Sequence, residues 1–138
     1  MPDPELTEPE PTDPEPTYDE LLDARLCQAE QQRTALRVAI EEMRVARSLT
    51  SADDEHDPEG STVSLDQARD SALLVRTEAT LAELVAARER MAAGRFGRCE
   101  RCGEAIPEAR LRARPEARLC VRCAALRRPG PGPRPGPA

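Results

Sequence analysis

The chain has 138 residues, of which 33% are charged, and it contains one tyrosine, one phenylalanine and no tryptophan. So few aromatic side chains exclude a large globular core, and no apolar run approaches the ~20 residues of a membrane-spanning helix. The net charge of −6 is unevenly placed, because residues 88–138 hold 13 arginines against 5 acidic residues, whereas residues 1–87 carry a balance of −14.

The first segment, residues 1–16, is an acidic leader in which prolines alternate with six acidic residues. Leu6 is its only sizeable apolar side chain after the initiator methionine, so the leader buries too little to offset the entropy of ordering. We therefore predict that it is disordered. The last ten residues, 129–138, consist mainly of proline and glycine, and we predict the same for them.

A long helix is predicted from Thr17 to about Leu49, a stretch without proline or glycine. Thr17 and Glu20 have the spacing of a capping box, in which each side chain accepts a hydrogen bond from the other residue's backbone N–H. Apolar side chains then recur at steps of three and four, which is typical of a coiled-coil seam. The seam consists of Leu22, Leu26, Ala29, Leu36, Ile40 and Met43, interrupted by Arg33 and Arg47.

An acidic turn is predicted at residues 53–62, because Pro58 and Gly60 are helix breakers. We expect a second helix from Ser64, which has Gln67 at the capping-box spacing, to about Ala93. Its seam fades toward the turn and consists of Leu74, Thr77, Leu81, Leu84, Arg88 and Met91. Two long helices with matching seams and a short connection predict an antiparallel coiled-coil hairpin over residues 17–94.

Two Cys-x-x-Cys pairs follow in residues 95–128: Cys99 with Cys102, and Cys120 with Cys123, separated by 17 residues. This spacing is typical of a zinc site, since four thiolates complete the tetrahedron that zinc prefers. Four protein ligands leave no open coordination position, so we predict one structural Zn²⁺ and no enzymatic activity. Leu119 and Leu126 are expected to pack against Ile106 and Leu111, beside a short helix over 120–128.

Disulfides and a redox Cys-x-x-Cys are the alternatives to zinc. Disulfides suit secreted chains, and no signal peptide is present, which predicts a cytoplasmic protein. A thioredoxin-like motif needs a βαβ pattern, which the sequence lacks. The fifth cysteine, Cys27, is expected to be a partly buried free thiol in the first helix. The predicted fold is thus mainly α, with a long hairpin followed by a small zinc-finger domain with four cysteine ligands and a short C-terminal helix.

The zinc segment contains the motifs GRFGRCERCG at 94–103, IP at 106–107, RLRARP at 110–115 and LCVRC at 119–123. With these motifs it resembles the DksA/TraR family. The resemblance is most specific from Phe96 to Cys123, and with the hairpin it extends over about residues 18–128. It implies a bacterial transcription regulator that is not an enzyme, binds RNA polymerase rather than a DNA sequence, and inserts its hairpin tip into the secondary channel. It also implies the alarmone ppGpp as a partner of some members; we expect a monomer that contacts no membrane.

The family's tip motif, Asp-x-x-Asp-x-Ala, matches imperfectly here. With Asp57 in the first position, Gly60 and Thr62 replace the second Asp and the Ala; a shift by three aligns Asp54 and Asp57, with Glu59 in place of Ala. By this resemblance the polymerase-contacting tip is Asp54, Asp57 and Glu59. The alternative is that these acids only keep the turn solvated.

A set of arginines around the predicted zinc site is expected to bind anions, either the phosphates of an alarmone or a carboxylate-rich rim of polymerase. The set consists of Arg110, Arg112, Arg114, Arg118 and Arg122.

Two further hypotheses compete with the transcription regulator. One is a non-specific nucleic-acid-binding zinc module, although the chain lacks an aromatic platform for base stacking. The other is a zinc-stabilised adaptor that dimerises through its coiled coil.

Overall fold

The computed structural model describes residues 13–50 and 58–127, with side chains from residue 62 onward in the second of these ranges. These residues form four helices: α1 (Tyr18–Thr50), α2 (Pro58–Ala92), α3 (Glu108–Ala113) and α4 (Val121–Arg127). The only β contact in the described ranges is an isolated antiparallel bridge between Arg98 and Ala105. The predicted fold class, a helical hairpin followed by a small cysteine-rich domain, is confirmed.

Helix α1 begins where the capping box predicts. The backbone N–H of Thr17 donates to Glu20 Oε2 at 2.7 Å, and the backbone N–H of Glu20 donates to Thr17 Oγ1 at 3.3 Å. This pair satisfies two amides that a helix N-terminus leaves without intrahelical partners. Hydrogen bonding to Thr17, first through its backbone N–H and then through its hydroxyl, holds the pKa of Glu20 below its ordinary value.

Helix α2 begins six residues earlier than predicted, at Pro58 instead of Ser64. The prediction treated Pro58 as a breaker, but proline suits the first turn of a helix, where its missing N–H has no partner to lose. Ser64 and Gln67 are therefore inside the helix and do not cap it. Their side chains instead accept hydrogen bonds from the guanidinium of Arg47 on α1, at 3.0 and 2.5 Å.

Cross-helix pairs establish the antiparallel arrangement. Asp23 pairs with Arg88, Arg37 with Glu78 at 2.7 Å, and Arg47 with Gln67, so partners on α2 descend in number as those on α1 rise. A charged or polar pair thus flanks the helix interface at the base, the middle and the tip side. Such exposed pairs fix register more than they stabilise the fold.

The seam of the hairpin is buried only in the half nearest the zinc domain. The seam residues that are buried there are Leu22, Ala29, Leu36, Thr77, Leu81 and Leu84. Toward the tip, Ile40, Met43 and Leu74 are only half-buried, which agrees with the predicted fading of the seam.

One seam assignment is wrong. Arg88 is exposed and pairs with Asp23, and the fully buried Ala87 takes its place in the interface. The small Ala87 faces α1, and the long side chain of Arg88 reaches solvent from the edge of the interface between α1 and α2.

The chain turns sharply after α2. Gly94 has φ +70°, a left-handed conformation that glycine adopts without steric cost, and the Arg95 N–H donates to the Arg90 carbonyl at 2.8 Å. Phe96 then packs between the hairpin core and the core of the zinc domain. Its ring lies 5.2 Å from that of Tyr18 at the start of α1. No described helix is both long and apolar enough to cross a membrane.

Candidate metal centre

The first cysteine pair lies on a tight hairpin turn. The Cys99 N–H donates to the Glu104 carbonyl at 2.8 Å, and the Gly103 N–H donates to the Cys99 carbonyl at 2.9 Å. Gly103 has φ +74°, a left-handed conformation in which any residue with a side chain would be strained. The turn therefore folds the chain back on itself and brings the Cys99 and Cys102 sulfurs to one side.

The second pair lies at the start of α4. Cys120 immediately precedes the helix and Cys123 lies in its first turn, where its backbone N–H donates to Cys120 Sγ at 3.5 Å. The Glu100 N–H donates to the Arg118 carbonyl at 2.9 Å and links the two cysteine pairs through the backbone. The fold thereby places both pairs around one point.

The four sulfurs of Cys99, Cys102, Cys120 and Cys123 all lie within 4.8 Å of one another. A zinc ion bound at about 2.3 Å to each of four tetrahedral sulfurs needs sulfur–sulfur separations of about 3.8 Å. The Cys102 and Cys120 sulfurs are 3.9 Å apart, which fits that requirement and is far beyond disulfide length. All five cysteines are free thiols, but the prediction that Cys27 is partly buried is wrong, since it is exposed on α1. The residues fit one structural zinc with no open coordination position.

Two of the thiols have strongly altered acidities. Hydrogen bonds from backbone N–H groups, first that of Cys102 and then that of Cys120, lower the pKa of Cys99 to about 6. Burial, followed by the neighbouring sulfurs, raises the pKa of Cys123 to about 12. Because zinc binds thiolates, Cys99 is ready to bind near neutral pH, whereas Cys123 must lose its proton as the metal binds.

The metal cluster lies within a very small apolar core. Cys99, Cys123, Ile106 and Leu111 are buried together, with Leu119, Phe96 and Tyr18 packed against them. Leu119 therefore packs as predicted, but Leu126 does not, since 67% of it is exposed on α4. Helix α4 is only two turns long, and Cys123 already occupies its inward face.

Arg90 is the residue at this centre that the sequence analysis missed. Its side chain is only 8% exposed; it donates to the Glu116 carbonyl at 3.2 Å and lies 3.8 Å from the Glu100 carboxylate. Arg90 therefore joins the end of α2 to the turn that holds the first cysteine pair and to the segment that precedes the second pair. In the sequence, Arg90 is simply the residue before the seam residue Met91, and nothing distinguishes it from a solvent-exposed arginine.

The five arginines predicted to bind anions all have partners within the fold. Arg110 donates to the Leu119 carbonyl at 2.9 Å. The other four form ion pairs: Arg112 with Glu15 and Glu108, Arg114 with Glu116, Arg118 with Glu83 and Glu100, and Arg122 with Glu104.

The tip is a different case. Asp54 and Asp57 lie outside the described residues. Glu59 lies in the first turn of α2, within the part of that helix whose side chains are not described.

Taken together, a closed cluster of four cysteines and a helical hairpin packed on it define a structural zinc-finger protein of the four-cysteine class. Residues 94–128 match the family described as the prokaryotic dksA/traR C4-type zinc finger, so this segment is a zinc finger of the DksA/TraR type.

Two relatives illustrate the similarity. An uncharacterized protein of Aquifex aeolicus (strain VF5) is 54% identical over 46 residues, which make up 33% of this chain and 32% of that protein. The match therefore spans about a third of the relative's length. The structure of the transcription factor DksA2 from Pseudomonas aeruginosa is 26% identical, with 79% of this chain and 84% of that chain covered and a TM-score of 0.48.

Proposed function

We propose that this protein is a non-enzymatic transcription regulator that binds RNA polymerase directly and inserts the tip of its hairpin into the secondary channel. The DksA/TraR-type zinc finger at residues 94–128 supports the regulatory role. The observation that carries the mode of binding is a long rod held in a fixed direction by the zinc domain.

The rod is long compared with the domain that holds it. At 1.5 Å per residue, the 33 residues of α1 and the 35 of α2 each extend for about 50 Å. The zinc domain contacts the rod near its base, where Arg25 donates to the Ala113 carbonyl at 3.0 Å and Glu83 pairs with Arg118 at 3.0 Å. Residues 34–50 of α1 continue toward the tip for about another 25 Å. Such a rod suits insertion into a channel better than enclosure of a ligand.

In this proposal the acidic residues at the tip act on the polymerase through their negative charge. Asp54, Asp57 and Glu59 carry negative charge to the polymerase active centre and alter contacts there electrostatically. Three carboxylates are too few to form a tight magnesium cage of their own, so in this proposal the tip acts on the polymerase and does not carry a metal in.

The arginines near the metal centre form the docking end. We include Arg110, Arg112, Arg114, Arg118 and Arg122 as contacts to the anionic rim of the channel or to the phosphates of ppGpp. Arg114 and Arg122 have the most exposed side chains of the set, 64% and 74%, and their ion pairs at 3.4 and 3.3 Å can be exchanged for an external anion. In this proposal the protein acts in the cytoplasm as a monomer and recognises no DNA sequence.

Photo-crosslinking from position 57, with the cognate core polymerase, tests the proposal. We expect crosslinks to the catalytic subunits near the secondary channel. The matched control places the same photoreactive residue at Val121, which is 60% exposed on α4 at the opposite end of the molecule and should crosslink elsewhere. Binding to polymerase without a crosslink from position 57 would contradict insertion, and no binding at all would contradict the function.

A second candidate function, dimerisation as an adaptor, is favoured by one observation. Three large apolar side chains on the outer surface of the hairpin are strongly exposed: Leu49 at 80%, Leu65 at 72% and Val75 at 66%. Sedimentation equilibrium distinguishes the two functions. A mass that doubles with concentration, and returns to that of the monomer in Leu65→Glu with Val75→Glu, would support the adaptor.

A further inference from the structure

The zinc domain has more positive charge than its own acids can neutralise. Residues 95–127 contain nine arginines and four acidic residues. Each of the four acids already forms an ion pair with an arginine: Glu100, Glu104, Glu108 and Glu116. The remaining positive charge therefore lies on arginines without such a partner.

Four of these unpaired arginines are exposed, and we call them the arginine surface: Arg95, Arg98, Arg101 and Arg127. None has an ion pair with another described residue, although Arg98 donates to the Gly103 carbonyl at 3.4 Å. Arg95 and Arg98 line one concave region of about 410 Å³ and Arg101 and Arg127 line another of about 410 Å³. Glu100 lines both regions, so the two regions adjoin at this residue.

The acidic leader enters the fold on this same domain. Arg112 of α3 pairs with Glu15 at 3.5 Å and donates to the Pro16 carbonyl. Its guanidinium also lies 4.7 Å from the centre of the Tyr18 ring. The end of the leader is thus held against the zinc domain by contacts that a disordered extension alone would not need.

We propose that residues 1–12 occupy the arginine surface, with Asp3, Glu5, Glu8 and Glu10 paired to its four arginines. The numbers of charges match, four on each side. Twelve residues reach at most about 40 Å, whereas a compact domain of some 35 residues is about 20 Å across. The leader is therefore long enough to reach every part of the arginine surface from its anchor at Arg112.

A tethered acidic segment competes with any external polyanion for the arginines it covers. Tethering by a short linker gives the leader an effective concentration in the millimolar range, so weak exposed pairs suffice for occupancy. This inference goes beyond the proposed function and does not depend on polymerase binding. It predicts that the basic end of the molecule is masked by the chain itself.

Zero-length crosslinking offers a direct test, because the chain contains no lysine. Arg95→Lys and Arg101→Lys, made separately in the full chain, each introduce a single side-chain amine while they preserve the charge. A carbodiimide then joins that amine to a carboxylate in direct contact, and mass spectrometry identifies the partner. We expect links to Glu5, Glu8 or Glu10, and we expect them to disappear in 1 M NaCl, where the Debye length is about 3 Å.

The control is Arg76→Lys, which places an amine at another exposed position, on α2 within the hairpin. It should give no link to the leader. A mixture of isotopically light and heavy protein separates links within one chain from links between chains. Links only to zinc-domain acids, only between chains, or equally from position 76 would overturn the proposal.

A binding measurement tests the masking. Neutralising the leader with D3N, E5Q, E8Q and E10Q should strengthen binding of a fluorescein-labelled oligo-dT by about three- to tenfold at low salt. The control variant, E30Q with E42Q, D66N and D70N, removes the same charge from exposed or half-exposed hairpin positions. An equal gain in the control, or no gain in the leader variant, would overturn the masking.

Discussion

The hairpin and the zinc domain solve the same problem, burial of enough surface to stay folded, in different ways. The hairpin buries leucines and alanines along a helix interface, whereas the zinc domain buries two cysteines with Ile106 and Leu111. A domain with so small an apolar core needs the metal to replace it. The two regions should therefore fail for different reasons, the hairpin by loss of apolar packing and the zinc domain by loss of its metal.

The largest expected effect comes from a lost zinc ligand. Cys99→Ser or Cys120→Ser should unfold residues 95–127 while the hairpin persists, because structural zinc contributes on the order of 10 kcal/mol to such domains. Helices α3 and α4 hold only 13 of the 81 helical residues described, so far-UV circular dichroism should fall by about a sixth.

Limited trypsin digestion locates the change, since arginines are abundant in the zinc domain. Cleavage should accelerate after residue 95 and not within α1. Cys27→Ser is the matched control, because Cys27 is exposed and away from the cluster, and it should alter neither signal. Unchanged melting and digestion in the Cys99 variant would contradict a structural zinc.

The next largest effect is in the hairpin. Leu84→Ala should cost about 2–5 kcal/mol of unfolding free energy, since Leu84 is 1% exposed in the seam and its truncation leaves a cavity. Urea denaturation followed by circular dichroism measures it, and zinc content should remain unchanged. Leu65→Ala on the exposed face should stay within about 0.5 kcal/mol, and an equal cost in both variants would show that the seam is misassigned.

A smaller effect is expected at the joint between the regions. Phe96 packs against both cores, so Phe96→Ala should cost about 1–3 kcal/mol and also weaken the coupling between them. In the wild type, a chelator that removes zinc should lower the melting temperature of the hairpin. In the variant that decrease should shrink, and Phe96→Leu should restore part of it. An undiminished decrease would place the coupling elsewhere, such as at Arg90.

The smallest effect is at the start of α1. Thr17→Ala removes the capping hydroxyl and should cost about 0.5–2 kcal/mol, whereas Thr50→Ala at the last turn should cost less than about 0.5 kcal/mol. Because the folded pKa of Glu20 is depressed, its stabilising effect is complete above its unfolded pKa and disappears as the pH falls through the folded value. Glu20→Gln removes the titrating group, and its cost, from thermal melts across pH 2–7, should shrink toward the acidic end. A pH-independent cost would exclude the Glu20 carboxylate from the cap.

The parts of this fold that the sequence predicts are those set by local pattern. Cysteine spacing determines the metal cluster, the Thr17–Glu20 pair determines the start of α1, and the three-four periodicity determines most of the seam. Each depends on residues a few positions apart or on one repeated chemical type.

The parts that it does not predict depend on tertiary context. Pro58 has the same sequence signal as a breaker and as the first residue of a helix, so the residue type alone does not decide between them. Ala87 lies in the helix interface in place of Arg88, whose side chain instead forms an ion pair with Asp23 on α1. Arg90 is buried because the zinc domain folds back over it and supplies Glu100 and the Glu116 carbonyl.

The placement of Tyr18 has an optical consequence. It is the one tyrosine in a chain without tryptophan, so it dominates the intrinsic ultraviolet emission. The ring touches Phe96 on one side and the guanidinium of Arg112 on another, at the point where leader, hairpin and zinc domain converge. The native protein therefore carries an unlabelled fluorophore at its own joint, whose emission reports the state of all three segments without any added probe.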